Sequence, residues 1–581
     1  MAMIPKVTKY FKDKSRSLWQ LVTSPGFWAI ALPIVLIVPN IGLVITESDS
    51  LGSKITNILL PLGVYYVLTS LSIRIGRTIL LMLLFMILGA FQVVLLYLYG
   101  ESIIAVDMFL NLVTTNVSEA TELLSNLKMA IFTVGIIYLP CILAGIYLIV
   151  KHRYVPVHVL IRCRRAGISL VVVGVFSLIV TWLADDGYRP RRQVFPYNVC
   201  ENMVTAVRRT HESLKYYTTS STFSYRPTST RSKDLREVYV LVLGETSRAD
   251  NWQIMGYGRP TNPRLSHRAD IYAFDHVLSE INTTHKSVPM LLSYLTPETF
   301  GDSVAHTRSV LAAFNDLGYH TAFLSNQRRN HSYIEYYGAE ARTVHYISDD
   351  GGPQLDGNLL APMRRILETS PSNKVFIVLH TYGSHFEYNK RYPREEAVFL
   401  DDRASGASAQ NRPDLVNAYD NTIVYTDKLL DEVVLALDSL DVPAVMVYTS
   451  DHGEDIFDDA RGRFLHASPT PTYYQLHVPM LLWTSGEYAA LFPEKIKAMR
   501  RNAHCYVSST RSLFHTILDM AGIDSPQYAP SLSVMSGVYR SPQARYLNDY
   551  NESIMMNCSG LRSPDFEQMR RHGFPVAPAD R

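Results

Sequence analysis

Cysteine is scarce in this sequence, with five residues in 581. That count excludes a disulfide-dense secreted scaffold, and no CxxC pair supplies half of a structural zinc site. Charge is thin as well: 19% of residues are charged, and 55 basic against 53 acidic groups leave a formal +2. So even a balance excludes a nucleic-acid binder that works through bulk charge. Neither a Walker A pattern nor a GxSxG nucleophile elbow occurs, which removes two common ways of handling phosphate and acyl groups. What is present is apolar. The chain is 47% hydrophobic with a mean hydropathy of +0.03, an average over two unlike halves: charge-free runs before residue 185 and ordinary globular composition after it.

Five stretches carry no Asp, Glu, Lys or Arg: Leu21 to Thr46, Ile55 to Ile73, Thr78 to Gly100, Met129 to Val150 and Ala166 to Ala184. Each is long enough to cross roughly 30 Å of hydrocarbon as a helix, and five in succession are hard to reconcile with buried helices of a soluble protein. The first run has 26 residues, longer than a signal-peptide core, and reads as an anchor. Basic residues set the orientation, because Lys and Arg in short loops stay on the cytoplasmic side. Lys6, Lys9, Lys12, Lys14 and Arg16 precede the first run, Arg74 and Arg77 follow the second, and Lys151, Arg153, Arg162, Arg164 and Arg165 follow the fourth. The amino terminus is therefore expected inside and everything after Ala184 outside.

The expected organisation is a transmembrane domain over 1–184, an interfacial helix and flexible linker over 185–235, and an outer domain over 236–581. The loop Glu101 to Leu127 holds an amphipathic pattern, MFLNLVTTNVSEATELL, read as a surface-lying helix or as a solvated connector. On the former reading Asn116 and Glu119 lie at headgroup depth. In the outer domain, apolar runs at 238–243, 321–325, 375–380, 444–450 and 478–483 alternate with helical patterns. Such near-continuous apolar strands predict an α/β fold with a largely parallel sheet covered on both faces. Ligands bind such sheets at the carboxyl ends of the strands.

Polar chemistry follows three of these runs directly. Glu245 comes just after the first, Asp451 and His452 just after the fourth, and His380 ends the third with His385 five residues on. Carboxylate and imidazole converging from separate strand ends suit zinc or manganese. Adjacent Asp451 and His452 can both face one ion only if the chain bends, and Gly453 permits a bend. Taken alone, His380 reads as a hydrogen-bonded core histidine, and the acidic run Asp455, Asp458, Asp459 as a solvated loop. Thr283, Thr284 and Ser287 precede an apolar helix start, where helix caps are usual, so spacing alone favours capping over catalysis.

The segments GETSRADNWQIMGYGRPTNP, TTHKSVPM, HTYGSHFEYNKRYP, and SDHGE followed by FLH resemble, in order and spacing, the membrane-anchored phosphoethanolamine transferases of the alkaline phosphatase and sulfatase superfamily. The five-run anchor and the TTNVSEATELL loop fit that family too. The resemblance implies a sulfatase-like outer domain in the periplasm, anchored in a bacterial inner membrane. It implies a Zn2+ site made by Glu245, Thr284, Asp451 and His452, with Thr284 also the nucleophile. His385 and His466 match histidines that bind the donor phosphate or a second zinc. The implied reaction moves phosphoethanolamine from phosphatidylethanolamine, through a phosphothreonine, to lipid A, the lipopolysaccharide core or another envelope acceptor. A phosphoglycerol transferase on the same scaffold and a non-catalytic envelope-binding protein are the alternatives. Many family members close disulfides around the threonine motif; here Cys505 with Cys558 is the one pairing considered, and the chain looks closer to the cysteine-poor branch. Some members carry a phosphate-binding lysine in the loop that is 325–333 here; Arg328 or Arg329 as its substitute and a plain solvated basic loop are the two readings.

Overall fold

The computed structural model describes residues 20–47, 50–100, 103–114, 127–404 and 406–578. The chain divides into two compact units, 1–109 with 124–206, and 110–123 with 207–581.

Among the described residues of the first unit, four helices are long and apolar enough to cross a membrane: Pro25–Thr46, Leu51–Thr69, Lys128–Val150 and Val157–Ala184. A further pair, Ile75–Leu81 and Leu83–Tyr99, meets at a 48° bend and makes a fifth span if counted as one. The first span is itself two helices, broken at Ile37 just before Pro39, whose ring fits the first turn of a new helix but not the interior of an old one. The last helix begins at Val157, ahead of the charge-free run, and takes in Arg162, Arg164 and Arg165. Arg164 reaches across to the Ser70 carbonyl at 2.9 Å, so long basic side chains finish the helix where hydrocarbon would not hold them.

The polar segment after Ala184 is tied to this unit by buried amides. Asn40 Nδ2 donates to the Phe195 carbonyl and Asn57 Nδ2 to that of Gln193, at 2.8 and 2.6 Å. Asn198 and Asn202 both donate to the Ile104 carbonyl at 2.8 Å. The helix expected here runs Tyr197–Ser213. The flexible linker expected after it is instead packed chain: Tyr216 and Tyr225 are buried, and Thr228–Ser229 pairs antiparallel with Ile523–Asp524. Aromatic density accounts for the difference, since rings of this size gain more by burial than the backbone loses by ordering. Of the loop 101–127, Val106–Thr114 is helical; Asn116 and Glu119 lie outside the described residues.

The second unit is built on a sheet of seven strands: β1 (Glu237–Gly244), β2 (Ile271–Ala273), β3 (His320–Ser325), β4 (Thr343–Tyr346), β5 (Lys374–His380), β6 (Ala444–Ser450) and β7 (Met480–Thr484). The spatial order is β2-β7-β6-β1-β5-β3-β4. β6, β1, β5, β3 and β4 are parallel; β7 runs antiparallel to both of its neighbours, β6 and β2, so β2 points the same way as the parallel set. β1, β5 and β6 are buried along their whole length, as strands covered on both faces must be. The run at 478–483 thus gives an antiparallel strand and the sheet is mixed. Between β6 and β7 the chain forms a small antiparallel pair, Asp455–Ile456 with Phe464–Leu465, and the short helix Tyr473–Leu476, with no long crossover helix to bring it back parallel. Four parallel strands end at one edge, delivering Glu245 after β1, Asn326 and Gln327 after β3, the His380–His385 segment after β5, and Asp451 after β6.

Candidate active site

Glu245 and Asp451 are neighbours because β1 and β6 run in register, Gly244 opposite Ser450. Asp451 Oδ1 accepts two backbone bonds, from Thr246 N at 3.0 Å and His452 N at 2.8 Å. Thr246 holds φ +61°, a left-handed conformation costly for a β-branched residue, and its hydroxyl donates to Glu245 Oε1 at 2.8 Å. The chain after β6 bends as expected at Gly453, though close approach and not a positive φ demands the glycine: a Cβ there would lie 2.1 Å from the Tyr474 carbonyl. The bend turns His452 inward. His452 Nδ1 bonds the Gly453 carbonyl at 3.0 Å, which leaves Nε2 to face the site.

Thr284 is the first residue of the helix Thr284–Leu291. Thr283 occupies the cap position, yet its hydroxyl makes no capping bond and is buried without a partner. Thr284 Oγ1 lies 3.1 Å from Glu245 Oε1 and 3.0 Å from His452 Nε2. The helix start is fastened to the strand edge by Ser287, which donates to the Asp451 carbonyl at 2.7 Å.

These atoms form a set suited to a divalent metal. His452 Nε2 is 3.1 Å from Asp451 Oδ2 and 3.6 Å from Glu245 Oε1. Ligands at about 2.0–2.1 Å from a tetrahedral zinc stand roughly 3.3 Å apart, the same range. Asp451 Oδ2 is buried and accepts no hydrogen bond, an orphan that a cation would satisfy. Burial, with Asp451 alongside, pushes the Glu245 carboxyl up to about 7, and burial pushes Asp451 up to about 7. Burial and then His466 press His452 down to about 4, keeping it a neutral, ligating imidazole.

A second group shares Glu245: its carboxylate, His385 and His466 offer ligand atoms within 4.8 Å of one another. His466 Nδ1 bonds Glu454 Oε2 at 2.9 Å, and Glu454 is also bonded by the Tyr388 hydroxyl. Burial, then His385, presses His466 down to about 3.

All six residues expected at the site therefore meet at one strand edge. His380 stays out of it, bonding Ser325 Oγ at 3.1 Å inside the sheet. The acidic run is not solvated: Asp455 is buried against Thr472 and Gln475, and Asp458 pairs with Arg248 at 2.6 Å and Arg412 at 2.9 Å. Arg328 and Arg329 are exposed, and Arg329 pairs with Glu335 and Asp349 and covers the Tyr346 ring. Their neighbour Gln327 is the residue that reaches the site, donating from Nε2 to Glu245 Oε2 at 2.9 Å. Its signal was its place directly after a buried strand. Cys505 and Cys558 are not joined, and the other three cysteines are likewise free.

The Sulfatase family model matches residues 237–523, a span that holds every residue of this site. The likeness is to that stretch, just under half of the chain. Two curated relatives are phosphoethanolamine transferases. EptC of Escherichia coli O18:K1:H7 is 25% identical over 55% of this chain and 57% of its own length. The Kdo(2)-lipid A phosphoethanolamine 7''-transferase of Salmonella typhimurium is 30% identical over 51% of this chain and 53% of its own. The chain thus matches little more than half the length of these relatives. Two solved structures share the fold. Full-length EptA from Neisseria meningitidis, an integral membrane protein, aligns over 90% of this chain and 99% of its own at 20% identity and a TM-score of 0.68. The periplasmic domain of E. coli EptC, solved in complex with Zn, aligns over 58% of this chain and 97% of its own at 24% identity and a TM-score of 0.53.

Proposed function

We propose that this protein is a zinc-dependent transferase that moves phosphoethanolamine from phosphatidylethanolamine to lipid A or the lipopolysaccharide core, with Thr284 as the transient carrier. The observation that carries the reading is the placing of one threonine hydroxyl at 3.0–3.1 Å from both an imidazole and a carboxylate of a metal-type set. A binding module has no use for a hydroxyl held there. The phosphoethanolamine transferases among the relatives supply the group transferred, and the apolar helices of the first unit supply a reason to take it from a lipid.

Glu245, Thr284, Asp451 and His452 would hold the zinc. When bound, zinc lowers the pKa of the threonine hydroxyl and offsets charge on the phosphoryl oxygens. The remaining work falls to the chain. Thr284 Oγ, its proton given up, attacks the donor phosphorus; the bond to the diacylglycerol oxygen breaks, and that oxygen leaves as the diacylglycerol hydroxyl after taking a proton. An acceptor oxygen, losing its own proton, then attacks the same phosphorus and restores Thr284. His466, neutral and held with its Nδ1–H on Glu454, presents a bare Nε2 that serves as a ligand or acceptor and not as an imidazolium acid. His385, beside it, shares that task. With the amino terminus inside, the catalytic domain faces the periplasm, where lipid donor and acceptor are both at hand.

The test is intact mass and phosphopeptide mapping of detergent-purified protein incubated with zinc and phosphatidylethanolamine. One added phosphoethanolamine on the Thr284 peptide, absent from Thr284→Ala, is the expected result. An adduct from phosphatidylglycerol in its place would move the donor to the glycerol lipids. Adducts from neither lipid by zinc-loaded protein would overturn the reading.

A further inference from the structure

Away from the catalytic edge, a third group of ligand-type side chains meets at a place the proposed reaction does not use. Asp250 lies in the loop after β1, His477 directly after the helix Tyr473–Leu476, and His572 directly after the helix Ser563–Arg571 near the carboxyl end. Asp250 Oδ2 is 2.8 Å from His477 Nδ1, and Asp250 Oδ1 is 3.7 Å from His572 Nε2. The three ligand atoms lie within 4.8 Å of one another. From this geometry we infer that Asp250, His477 and His572 form a second, structural site for a divalent transition metal of the zinc class, which fastens the carboxyl-terminal helix to the outer domain.

Three considerations favour a metal over a plain polar cluster. An Asp–His hydrogen bond accounts for Asp250 and His477, but His572 stands too far from Asp250 for one and is nonetheless turned toward it. The separations of 2.8 and 3.7 Å bracket the roughly 3.3 Å between ligands of a tetrahedral zinc. Two imidazoles and one carboxylate are also the donors that select zinc-class ions over magnesium or calcium, which want oxygen alone. The surroundings fit as well. Tyr473 Oη sits 3.1 Å from Asp250 Oδ1 and 2.7 Å from His477 Nδ1, and Phe574 packs edge-on to the His477 ring. His477 is buried while the His572 side chain is 40% exposed, which gives an ion a way in. A cross-link here would serve a domain whose cysteines form no disulfide. It shares no residue with the catalytic groups.

The site is tested on chelator-stripped, full-length protein in detergent, in a Glu245→Gln background that takes the shared ligand from both catalytic groups. Titration with Co2+, followed by its visible absorption and by competition with Zn2+, reads what remains. We expect one equivalent bound in that background, weakened about 100-fold or more by His572→Ala, since even loss of an outer-shell partner costs 10–100-fold. His572→Cys should restore binding and add a thiolate-to-cobalt band. Asp250→Asn, which keeps a hydrogen-bonding group at that position, should lose the ion like His572→Ala. No ion bound by the Glu245→Gln protein, or the same stoichiometry and affinity after His572→Ala in a protein of unchanged circular dichroism, would overturn the inference.

Discussion

Glu454 holds the imidazole of His466 by a 2.9 Å bond to Nδ1, and so decides which ring nitrogen His466 offers the site. Burial pushes the Glu454 carboxyl up to about 7, and the Tyr388 hydroxyl fixes its other oxygen. Glu454→Gln can present an N–H to the same nitrogen and reverse the tautomer. Turnover should fall about 10–100-fold, as for other partners that orient ligands, with the Thr284 adduct still formed but more slowly. Single-turnover rates of adduct formation check this, and an unchanged rate would show that His466 needs no orienting.

Thr284→Ala removes the proposed carrier while deleting only a methyl and a hydroxyl at a half-buried helix start. Activity should drop by about 10³-fold or more, as when other nucleophiles are removed. Thr284→Ser should keep measurable transfer. Equal residual activities in the two variants, read by acceptor labelling, would argue that the hydroxyl is a ligand and never a carrier.

Protons and zinc should compete at the site. Without metal, Glu245 and Asp451 are raised to about 7 from unfolded values near 4, so the native state binds more protons than the unfolded one between those limits. Their contribution to stability is complete below about pH 4 and is lost as pH rises through 7. His452 and His466, depressed to about 4 and about 3, act oppositely: their contribution is present above about pH 6.5 and lost as pH falls. The opposing effects overlap below pH 6.5, which leaves the carboxylates to decide the range from 6.5 to 8. Metal-free protein should therefore melt at lower temperature at pH 8 than at pH 6.5, and zinc should abolish the difference. Zinc uptake at pH 6.5 should also release protons, fewer at pH 8, measurable by calorimetry in buffers of different ionisation enthalpy.

Asp458 pairs with Arg248, both side chains almost wholly buried, and Arg248 also donates to the Glu454 carbonyl at 3.0 Å. Asp458→Ala strands a buried guanidinium and should destabilise the outer unit by about 3–5 kcal/mol. Denaturant unfolding followed by tryptophan fluorescence measures it. A loss below about 1 kcal/mol would mean that Asn251, the Glu454 carbonyl and solvent satisfy Arg248 without the carboxylate.

How legible each part was depended on how far apart its partners lie in the chain. The five apolar runs became strands because burial on both faces needs nothing but local composition. Their directions were not so written, and the run at 478–483 came out antiparallel. Glu245, Asp451 and His452 stood out as polar groups immediately after buried strands. Thr284 did not, because a threonine before an apolar helix looks the same whether it caps or reacts; only the empty hydroxyl of Thr283 and the bonds of Thr284 separate the two. Asp458 looked solvated because its partners, Arg248 and Arg412, are distant in sequence. Gln327 was overshadowed by the arginines beside it, although those turn to Glu335, Asp349 and solvent.

The place of β1 in the sheet bears on how the protein is made. It is the first strand of the outer unit's sheet to leave the ribosome, yet its flanking strands, β5 and β6, begin only at Lys374 and Ala444. Until both have been made, β1 is an apolar ribbon with two open edges and Glu245 at its tip, prone to pair with whatever comes first. Metal capture at the proposed site would thus come late in biogenesis, since a chain stalled before Asp451 lacks two of the four ligands proposed for it.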